Sequence, residues 1–339
     1  RYFNTPNQES LSKKIAALEH AEAAMIFGSG MAAISSTMLT FLKSGDHAVI
    51  QNDIYGGTRS FIESHFKNYG IDYSFTKDLS SEAFEDCIQE NTKLIYIETP
   101  SNPLLKLVDL FAIAKLAKSH RIVTAADNTF ASPIVQNPLD LGVDIVMHSA
   151  TKYFGGHSDI SAGAVASSQE IMDKIWNLSK DFGGNLSDYT VWLLERSMKT
   201  LGIRVKAQQR NAKRLAKFLN KHTAVKSVYY PGLKTNEYHG LAKIQMKGFG
   251  AMMSFELTEE YNAEAFLKAL ELIKPSMSLA GVESTMLLPC KTSHALLSDS
   301  DRLSQGITDQ LIRFSVGIEN KSDLINDIEQ AISASHSKR

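Results

Sequence analysis

The 339-residue sequence lacks the features that mark several large classes of protein. It has only two cysteines, Cys87 and Cys290, and no CxxC pair, which argues against a disulfide framework and a cysteine zinc site. We therefore predict no metal. The sequence has no run of about eighteen apolar residues, so no membrane span is predicted. We also find no signal peptide. A reducing compartment fits best, and we expect a cytoplasmic protein.

Charge of one sign is not in excess, since 36 Lys and Arg residues balance 37 Asp and Glu residues, for a formal net charge of −1. This balance gives no reason to expect nucleic acid or an acidic membrane as a partner. The length allows a large core and more than one folding unit. Because the chain begins at Arg1 without a methionine, we expect further residues upstream.

Strands and helices alternate along the first 200 residues. An apolar stripe predicts a first helix at Gln8–Ala24. Compact apolar runs predict strands at 47–50, 93–98, 122–126, 144–147 and 162–167. This alternation predicts an α/β large domain, residues 1–200, with a mainly parallel sheet covered by helices on both faces.

From about residue 201 the pattern changes. A long basic helix at 203–222 precedes predicted strands at 225–230, 250–257 and 311–316. Helices are predicted at 263–273 and 322–333. We predict a second, smaller α+β domain over residues 201–339.

Polar residues follow the predicted parallel strands, where ligands bind in such sheets. Asp127 closes one strand and is either a turn residue or the partner of a protonated pyridine nitrogen. Lys152 follows the next strand. A lone lysine is usually a surface charge, but Ser149 and Thr151 beside it could bind a phosphate. When buried, such a lysine becomes nucleophilic.

Three further segments carry candidate ligand contacts. Gly28-Ser29-Gly30-Met31 opens a helix and could bind a phosphate, or form a plain turn. Tyr55 on a glycine-rich loop could stack on a flat ring, and Asn102 is a positioned amide or a turn residue. Arg313 lies inside an apolar strand and needs an anionic partner, either a substrate carboxylate or a structural salt bridge.

Two other enzyme classes share parts of this pattern. Residues 28–33 match GxGxxA, with Asp53 closing the next strand, as in nicotinamide-dependent oxidoreductases. Such an enzyme has no need of the Asp127 and Lys152 arrangement. Ser149 to Lys152 also match the SxxK of serine acyl-enzymes, but in those enzymes the serine opens a helix. A non-catalytic scaffold protein is a third alternative.

The stretch from Ala125 to Asp159 closely resembles the Cys/Met-metabolism, or trans-sulfuration, family of pyridoxal 5′-phosphate (PLP) enzymes. The other matching motifs are GSGMAAI, YGGT, ETPSNP, NAKRLAKFL, YPGL, KGFGAMMSFEL and LIRFSVGIE, which extend the resemblance over essentially the whole chain. The resemblance implies the PLP-dependent aminotransferase-like fold (fold type I). It also implies a small sulfur-containing amino acid as substrate.

The resemblance further implies a role for each matching residue. Lys152 binds PLP as a Schiff base and moves protons, and Asp127 pairs with the pyridine nitrogen. Tyr55 stacks on the ring and can act as a base, and Asn102 faces the ring hydroxyl. The phosphate is bound by Gly30, Met31, Ser149 and Thr151. The substrate α-carboxylate is bound by Arg313 and the Ser284 region.

Arg1 matches the arginine of a Tyr-x-Arg motif that reaches the phosphate of the neighbouring subunit in this family. The resemblance thus implies dimers with shared sites, paired into a homotetramer. The loop Asn4-Thr5-Pro6-Asn7 departs from the usual Asn-Pro-Thr, and Pro289 to His294 departs from the usual Pro-Ala-Ser-Met-Thr-His.

Specificity is expected to depend on three positions. Ser60 stands where many members have arginine, with Arg59 before it, and Gly57 instead of cysteine argues against methionine γ-lyase. Glu283 matches a glutamate of enzymes that handle cystathionine. We expect a C–S lyase that cleaves cystathionine by β- or γ-elimination. Cystathionine γ-synthase and O-acetylhomoserine sulfhydrylase remain alternatives.

Overall fold

A computed structural model describes residues 3–293, 295 and 298–336. The α-helices are α1 (Pro6–Glu19), α2 (Gly30–Phe41), α3 (Gly56–His65), α4 (Ser81–Glu85), α5 (Leu110–His120), α6 (Gln169–Phe182), α7 (Asp188–Met198), α8 (Leu201–Leu219), α9 (His239–Gln245), α10 (Ala263–Ala269), α11 (Asp299–Ser304) and α12 (Lys321–Ala334). None of the helices in these ranges is long and apolar enough to cross a membrane.

The strands form two sheets. They are β1 (Ala23–Phe27), β2 (His47–Ile50), β3 (Asp72–Phe75), β4 (Thr92–Glu98), β5 (Val123–Asp127), β6 (Ile145–His148), β7 (Gly163–Ser167), β8 (Val225–Tyr229), β9 (Met252–Leu257), β10 (Lys274–Pro275), β11 (Thr285–Leu287) and β12 (Leu311–Ser315). The large sheet has the order β1-β7-β6-β5-β4-β2-β3. Its five strands from β3 to β6 are parallel, whereas β7 and β1 are antiparallel to their neighbours. The predicted mainly parallel sheet is confirmed.

Alternate residues of the central strands face opposite layers of helices. On β4, Leu94 and Tyr96 belong to a buried cluster that includes α2 residues, whereas Ile95 and Ile97 belong to a cluster that includes α5 residues. This alternation follows from the two-residue period of a strand. Because both faces are covered by apolar side chains, polar groups are left to the carboxyl edge of the sheet.

The second sheet has the order β10-β11-β12-β9-β8 and is antiparallel except between β10 and β11. Residues of α8, α10 and α12 share one buried cluster with it. This arrangement is the α+β architecture predicted for the second half. The boundary between residues 200 and 201 stays a prediction.

The first predicted helix was too long. A capping box of Thr5 and Gln8 begins α1, with Pro6 at its first position. The helix ends at Glu19 because His20 adopts a left-handed φ of 58°. Ala23–Phe27 then pairs with β7, so tertiary pairing decides the structure of an alanine-rich segment that is compatible with a helix.

Candidate active site

Most of the predicted site residues line one cavity at the carboxyl edge of the large sheet. It measures about 380 Å³ and is closed on one side by β12 of the second sheet. Small-molecule sites have volumes of about 300–1,000 Å³. The nine predicted residues in its lining are Gly30, Met31, Tyr55, Asn102, Asp127, Ser149, Thr151, Lys152 and Arg313.

One end of the cavity is built to receive an anion. Helix α2 begins there, and its N-cap Ser29 accepts the N–H of Ala32 at 3.0 Å. A Cβ on Gly30 would lie 2.8 Å from the Cβ of Ser149, so only glycine lets the helix start approach the Ser149 turn this closely. The helix N-terminus and the hydroxyls of Ser149 and Thr151 fit a phosphate group.

Asp127 provides a buried carboxylate on the floor of the cavity. Its side chain is 7% exposed, and the N–H of Thr129 donates to Oδ1 at 2.9 Å. No Lys, Arg or His among the described residues forms an ion pair with it. Burial raises the pKa of Asp127. A cation bound in the cavity, such as a protonated ring nitrogen, would stabilise its ionised form.

Lys152 faces the same cavity from the turn that follows β6. Burial, and then the positive charge of Arg313, lower the pKa of its amine. In the part of the chain that the structure describes, this amine forms no hydrogen bond or ion pair. A lowered pKa increases the neutral fraction of the amine, which is the form that attacks an aldehyde.

Arg313 lies on β12 and is 4% exposed. Its guanidinium donates to Oδ1 of Asn102 at 3.3 Å and to the carbonyl of Met277 at 3.0 Å. Burial lowers its pKa to about 10. Since no carboxylate within residues 3–293, 295 and 298–336 pairs with it, the structural salt bridge considered above is not found there. The guanidinium is placed to bind a ligand carboxylate.

Tyr55 stands at the start of α3 with 45% of its surface exposed. Its backbone N–H donates to Oε2 of Glu98 at 2.7 Å. A Cβ on Gly57 would lie 2.5 Å from the Tyr55 ring, so a residue with a side chain at 57 would displace that ring. Gly57 therefore sets the position of the tyrosine at the cavity.

Two predicted residues, Ser284 and Glu283, do not line the cavity. The hydroxyl of Ser284 donates to Glu319 at 2.9 Å and accepts the N–H of Gly317 at 2.9 Å. Glu283 accepts a hydrogen bond from the Ser158 hydroxyl instead. Arg1 and His294 lie outside the described residues.

Sequence reasoning missed Glu98 and Ser278, both of which line the cavity. Glu98 closes β4 next to Asp127 on β5, and this position at a strand end could have indicated that it lines the cavity. Ser278 precedes β11 in an irregular loop and has no local sequence pattern. Its hydroxyl lies 3.2 Å from that of Ser158.

The residues of the rival predictions are engaged elsewhere. Asp53 is 5% exposed, accepts from the Ser101 hydroxyl at 2.9 Å and lies 3.5 Å from the amine of Lys106, so it does not face a ribose. Ser149 follows a strand instead of opening a helix. The Arg59 guanidinium lies 4.0 Å from the Phe75 ring centre and does not take the place of the missing arginine at 60.

The fold and this cavity together are those of an α/β enzyme with a site suited to a phosphorylated cofactor. The family model described as "Cys/Met metabolism PLP-dependent enzyme" matches residues 1–333. The chain belongs to this family, and its cofactor is PLP. It is a PLP-dependent enzyme of the trans-sulfuration family with the aminotransferase-like fold, as the resemblance implied.

The chain is similar to several characterised members. It is 45% identical to a cystathionine γ-lyase of Bacillus subtilis, over 96% of this chain and 86% of the relative. It is 43% identical to an L-methionine γ-lyase of Fusobacterium nucleatum, over 97% and 85%. It is 42% identical to a cystathionine β-lyase of Lactococcus lactis, over 96% and 86%. A crystal structure of cystathionine γ-lyase from Lactobacillus plantarum with L-serine has a TM-score of 0.96 at 42% identity, over 98% of this chain and 88% of that one.

Proposed function

We propose that this chain is a C–S lyase of sulfur amino-acid metabolism that cleaves cystathionine by β- or γ-elimination. One observation carries the proposal: a buried Arg313 guanidinium, without a carboxylate partner among the described residues, lines the same cavity as Lys152. Amine chemistry and carboxylate binding are thereby combined in one cavity, as an amino-acid substrate requires. The relatives named cystathionine γ-lyase and β-lyase support the choice of substrate.

Each end of the cavity would hold one part of PLP. Gly30, Met31, Ser149 and Thr151 would bind the phosphate, and Asp127 would pair with the ring nitrogen. Tyr55 would stack on the ring, and Asn102 would face its hydroxyl. When bound, PLP supplies an electron sink that stabilises negative charge at the α-carbon of an amino acid.

The chain's own groups bind the substrate and move protons. Arg313 would bind the α-carboxylate, joined by Ser278 rather than Ser284 because Ser278 lines the cavity. Lys152 would hold the cofactor covalently at rest. Once displaced by the substrate amine, its Nζ would accept the α-proton. In β-elimination the electron pair left at the α-carbon would form the Cα–Cβ double bond as the C–S bond breaks. In γ-elimination a second proton must leave Cβ, and its electron pair would form the Cβ–Cγ double bond. In both, the electron pair of the C–S bond stays on sulfur, which takes up a proton and leaves as a thiol.

The family resemblance also supports an assembly. We propose dimers with shared sites, with Arg1 reaching the neighbour's phosphate, and pairing of these dimers into a homotetramer. Exposed aromatic side chains on α6 and α7, including Phe182, Tyr189 and Trp192, are suited to burial between subunits. Light scattering after size exclusion should give a tetramer mass, and a monomer would contradict this. The free thiols Cys87 and Cys290 fit a cytoplasmic location.

Two measurements test the proposal. Borohydride reduction followed by peptide mass analysis should place the cofactor on Lys152, and Lys152→Ala should retain no reducible cofactor. Label on another lysine would overturn the assignment. Incubation with cystathionine should then give cysteine and 2-oxobutanoate (γ-elimination) or homocysteine and pyruvate (β-elimination), each with ammonia.

The synthase alternative has a separate outcome. An activated homoserine with cysteine should yield little cystathionine if the chain is a lyase. Intact cystathionine in the first mixture and new cystathionine in the second would establish γ-replacement instead. Methionine should be tested as a third compound, since one relative is named L-methionine γ-lyase. Because of Gly57, we expect methionine to react more slowly than cystathionine.

A further inference from the structure

A buried ion pair lies behind the residues that face the cofactor cavity. Glu19, the last residue of α1, is fully buried, and its Oε1 lies 2.5 Å from Nε2 of His148, which is 3% exposed. Neither residue lines the cavity. Burying an ionised carboxylate is costly unless a cation and hydrogen-bond donors compensate. Among the described residues, no Lys or Arg forms an ion pair with Glu19, and its partners are the His148 imidazole and the side-chain amides of Asn128 and Asn137.

The ion pair is tied to both turns that form the cofactor end of the cavity. The amide of Asn128, directly after Asp127, lies 3.4 Å from Oε1 of Glu19. His148 ends β6, directly before Ser149. The two turns are also joined to each other, because the N–H of Ser149 donates to Thr129 Oγ1 at 2.8 Å. Glu19 thus connects α1 to the turns that carry Asp127 and Ser149.

We propose that Glu19 and His148 are positioning residues for Asp127: their hydrogen-bonded pair ties α1 to the turns after β5 and β6 and keeps the Asp127 carboxylate oriented toward the ring nitrogen of PLP. The inference rests on the proposed role of Asp127. It adds two residues to the cofactor site that contribute no atom to the cavity.

The charges around Asp127 explain why such support is needed. Glu98 on β4 is the register partner of Asp127 on β5, so two buried carboxyl groups lie side by side. Burial and then the charge of Asp127 raise the pKa of Glu98 well above its usual range. Hydrogen bonds from Thr129, and then the electrostatic interaction with His148, act in the opposite direction on the pKa of Asp127. Of the two carboxyl groups, Glu98 therefore keeps a proton more readily.

The His148 imidazole is held on two sides. Its Nε2 is hydrogen-bonded to Oε1 of Glu19. The Phe154 ring meets it edge-on, with ring centroids 4.8 Å apart and an interplanar angle of 71°. These contacts fix the ring that directly precedes Ser149.

The test compares PLP with an analogue that has carbon in place of the ring nitrogen. Glu19→Gln removes the carboxylate at nearly constant shape, and His148→Gln removes the imidazole. Each should weaken PLP binding to the cofactor-free protein by about tenfold, the lower end of the loss seen when residues that support metal ligands are replaced. Binding of the carbon analogue should change less than twofold, because it presents no charge to Asp127.

A matched control is Asp327→Asn, which removes another buried carboxylate. Asp327 accepts backbone N–H groups of residues 271 to 273, far from the cavity. It should lower the melting temperature and leave both affinities unchanged. A purely structural role of Glu19 would weaken PLP and analogue equally, and this result, or no loss of either, would overturn the proposal.

Failure of the underlying assignment gives a different pattern. Asp127→Asn should itself abolish the preference for PLP over the analogue. If it does not, the proposed role of Asp127 is wrong. If Asp127→Asn abolishes the preference and neither Glu19→Gln nor His148→Gln reduces it, only the further inference is wrong. Nitrogen-15 NMR of labelled PLP gives a second readout, since the variants should reduce protonation of the ring nitrogen.

Discussion

Replacing Gly30 with alanine should weaken the phosphate end of the cofactor site. The added Cβ would lie 2.8 Å from Cβ of Ser149 and 3.0 Å from both its Cα and its Oγ. Non-bonded carbon atoms prefer about 3.5–4.0 Å, so α2 and the Ser149 turn must separate by at least about 0.7 Å. Rotating the serine side chain does not relieve this contact, because Cα belongs to the backbone.

The increase in the Kd for PLP depends on whether α2 and the Ser149 turn can move apart. Overpacking of this kind costs about 1–3 kcal/mol. Without PLP the two segments are free to move apart, whereas binding requires both to contact one phosphate. The strain then opposes binding and raises the apparent Kd for PLP by about 5-fold to about 150-fold, at about 1.4 kcal/mol per tenfold.

Titration of the cofactor-free protein, followed by the absorbance of bound PLP, measures this Kd. Gly240→Ala is the matched control, since Gly240 lies in α9 and an added Cβ would meet nothing within 4 Å. That change should raise the free energy of unfolding by up to about 1 kcal/mol and leave the Kd unchanged. A Gly30→Ala protein that binds PLP as tightly as the Gly240→Ala control would refute the reasoning.

Three further results are expected. Glu98 has a raised pKa, so its contribution to the stability of the cofactor-free protein is present in acid and lost as the pH rises through its folded value. Glu98→Gln should remove this loss of stability with rising pH and raise the melting temperature at neutral pH. A melting temperature below that of the unchanged protein would contradict this. Arg313 helps to lower the pKa of Lys152, so in Arg313→Gln the rate of PLP attachment should shift to higher pH. Arg313→Lys should keep the original pH profile, and identical profiles for all three proteins would oppose the argument. Because Glu283 accepts from the Ser158 hydroxyl and does not line the cavity, Glu283→Gln should leave KM for cystathionine and for methionine unchanged. A rise in KM for cystathionine alone would contradict this and show that Glu283 meets the distal amine of the substrate.

The sequence was informative where function coincides with the end of a regular element. Asp127 and Lys152 follow neighbouring parallel strands, and the carboxyl ends of parallel strands lie at the same edge of a sheet. Arg313 was found because a guanidinium inside an apolar strand needs a partner. Its actual partners could not be predicted, since Asn102 is 211 residues away and is brought near only by packing of the two sheets.

Residues whose role depends on long-range packing escaped prediction. Glu19 sits in an ordinary amphipathic helix, 129 residues from His148, and no local pattern separates it from a surface glutamate. Ser278 replaces Ser284 at the cavity because the loop before β11 folds across β12, and loop paths are not encoded in periodicity. Local propensity also misplaced the end of α1, where pairing with β7 decides the structure.

The charges of the cavity impose one orientation on cofactor and substrate. The start of α2 is positive by its dipole, Asp127 is negative, and Arg313 is positive, so a phosphate, a pyridinium and a carboxylate each have one favourable position. Asp127 and Arg313 are buried, and neither forms an ion pair with another of the described residues, which opposes folding. Binding supplies those opposite charges. The charged residues of the site therefore lower the stability of the empty protein and raise its affinity for ligands. Neutral substitutions of these residues should stabilise the empty protein and weaken ligand binding.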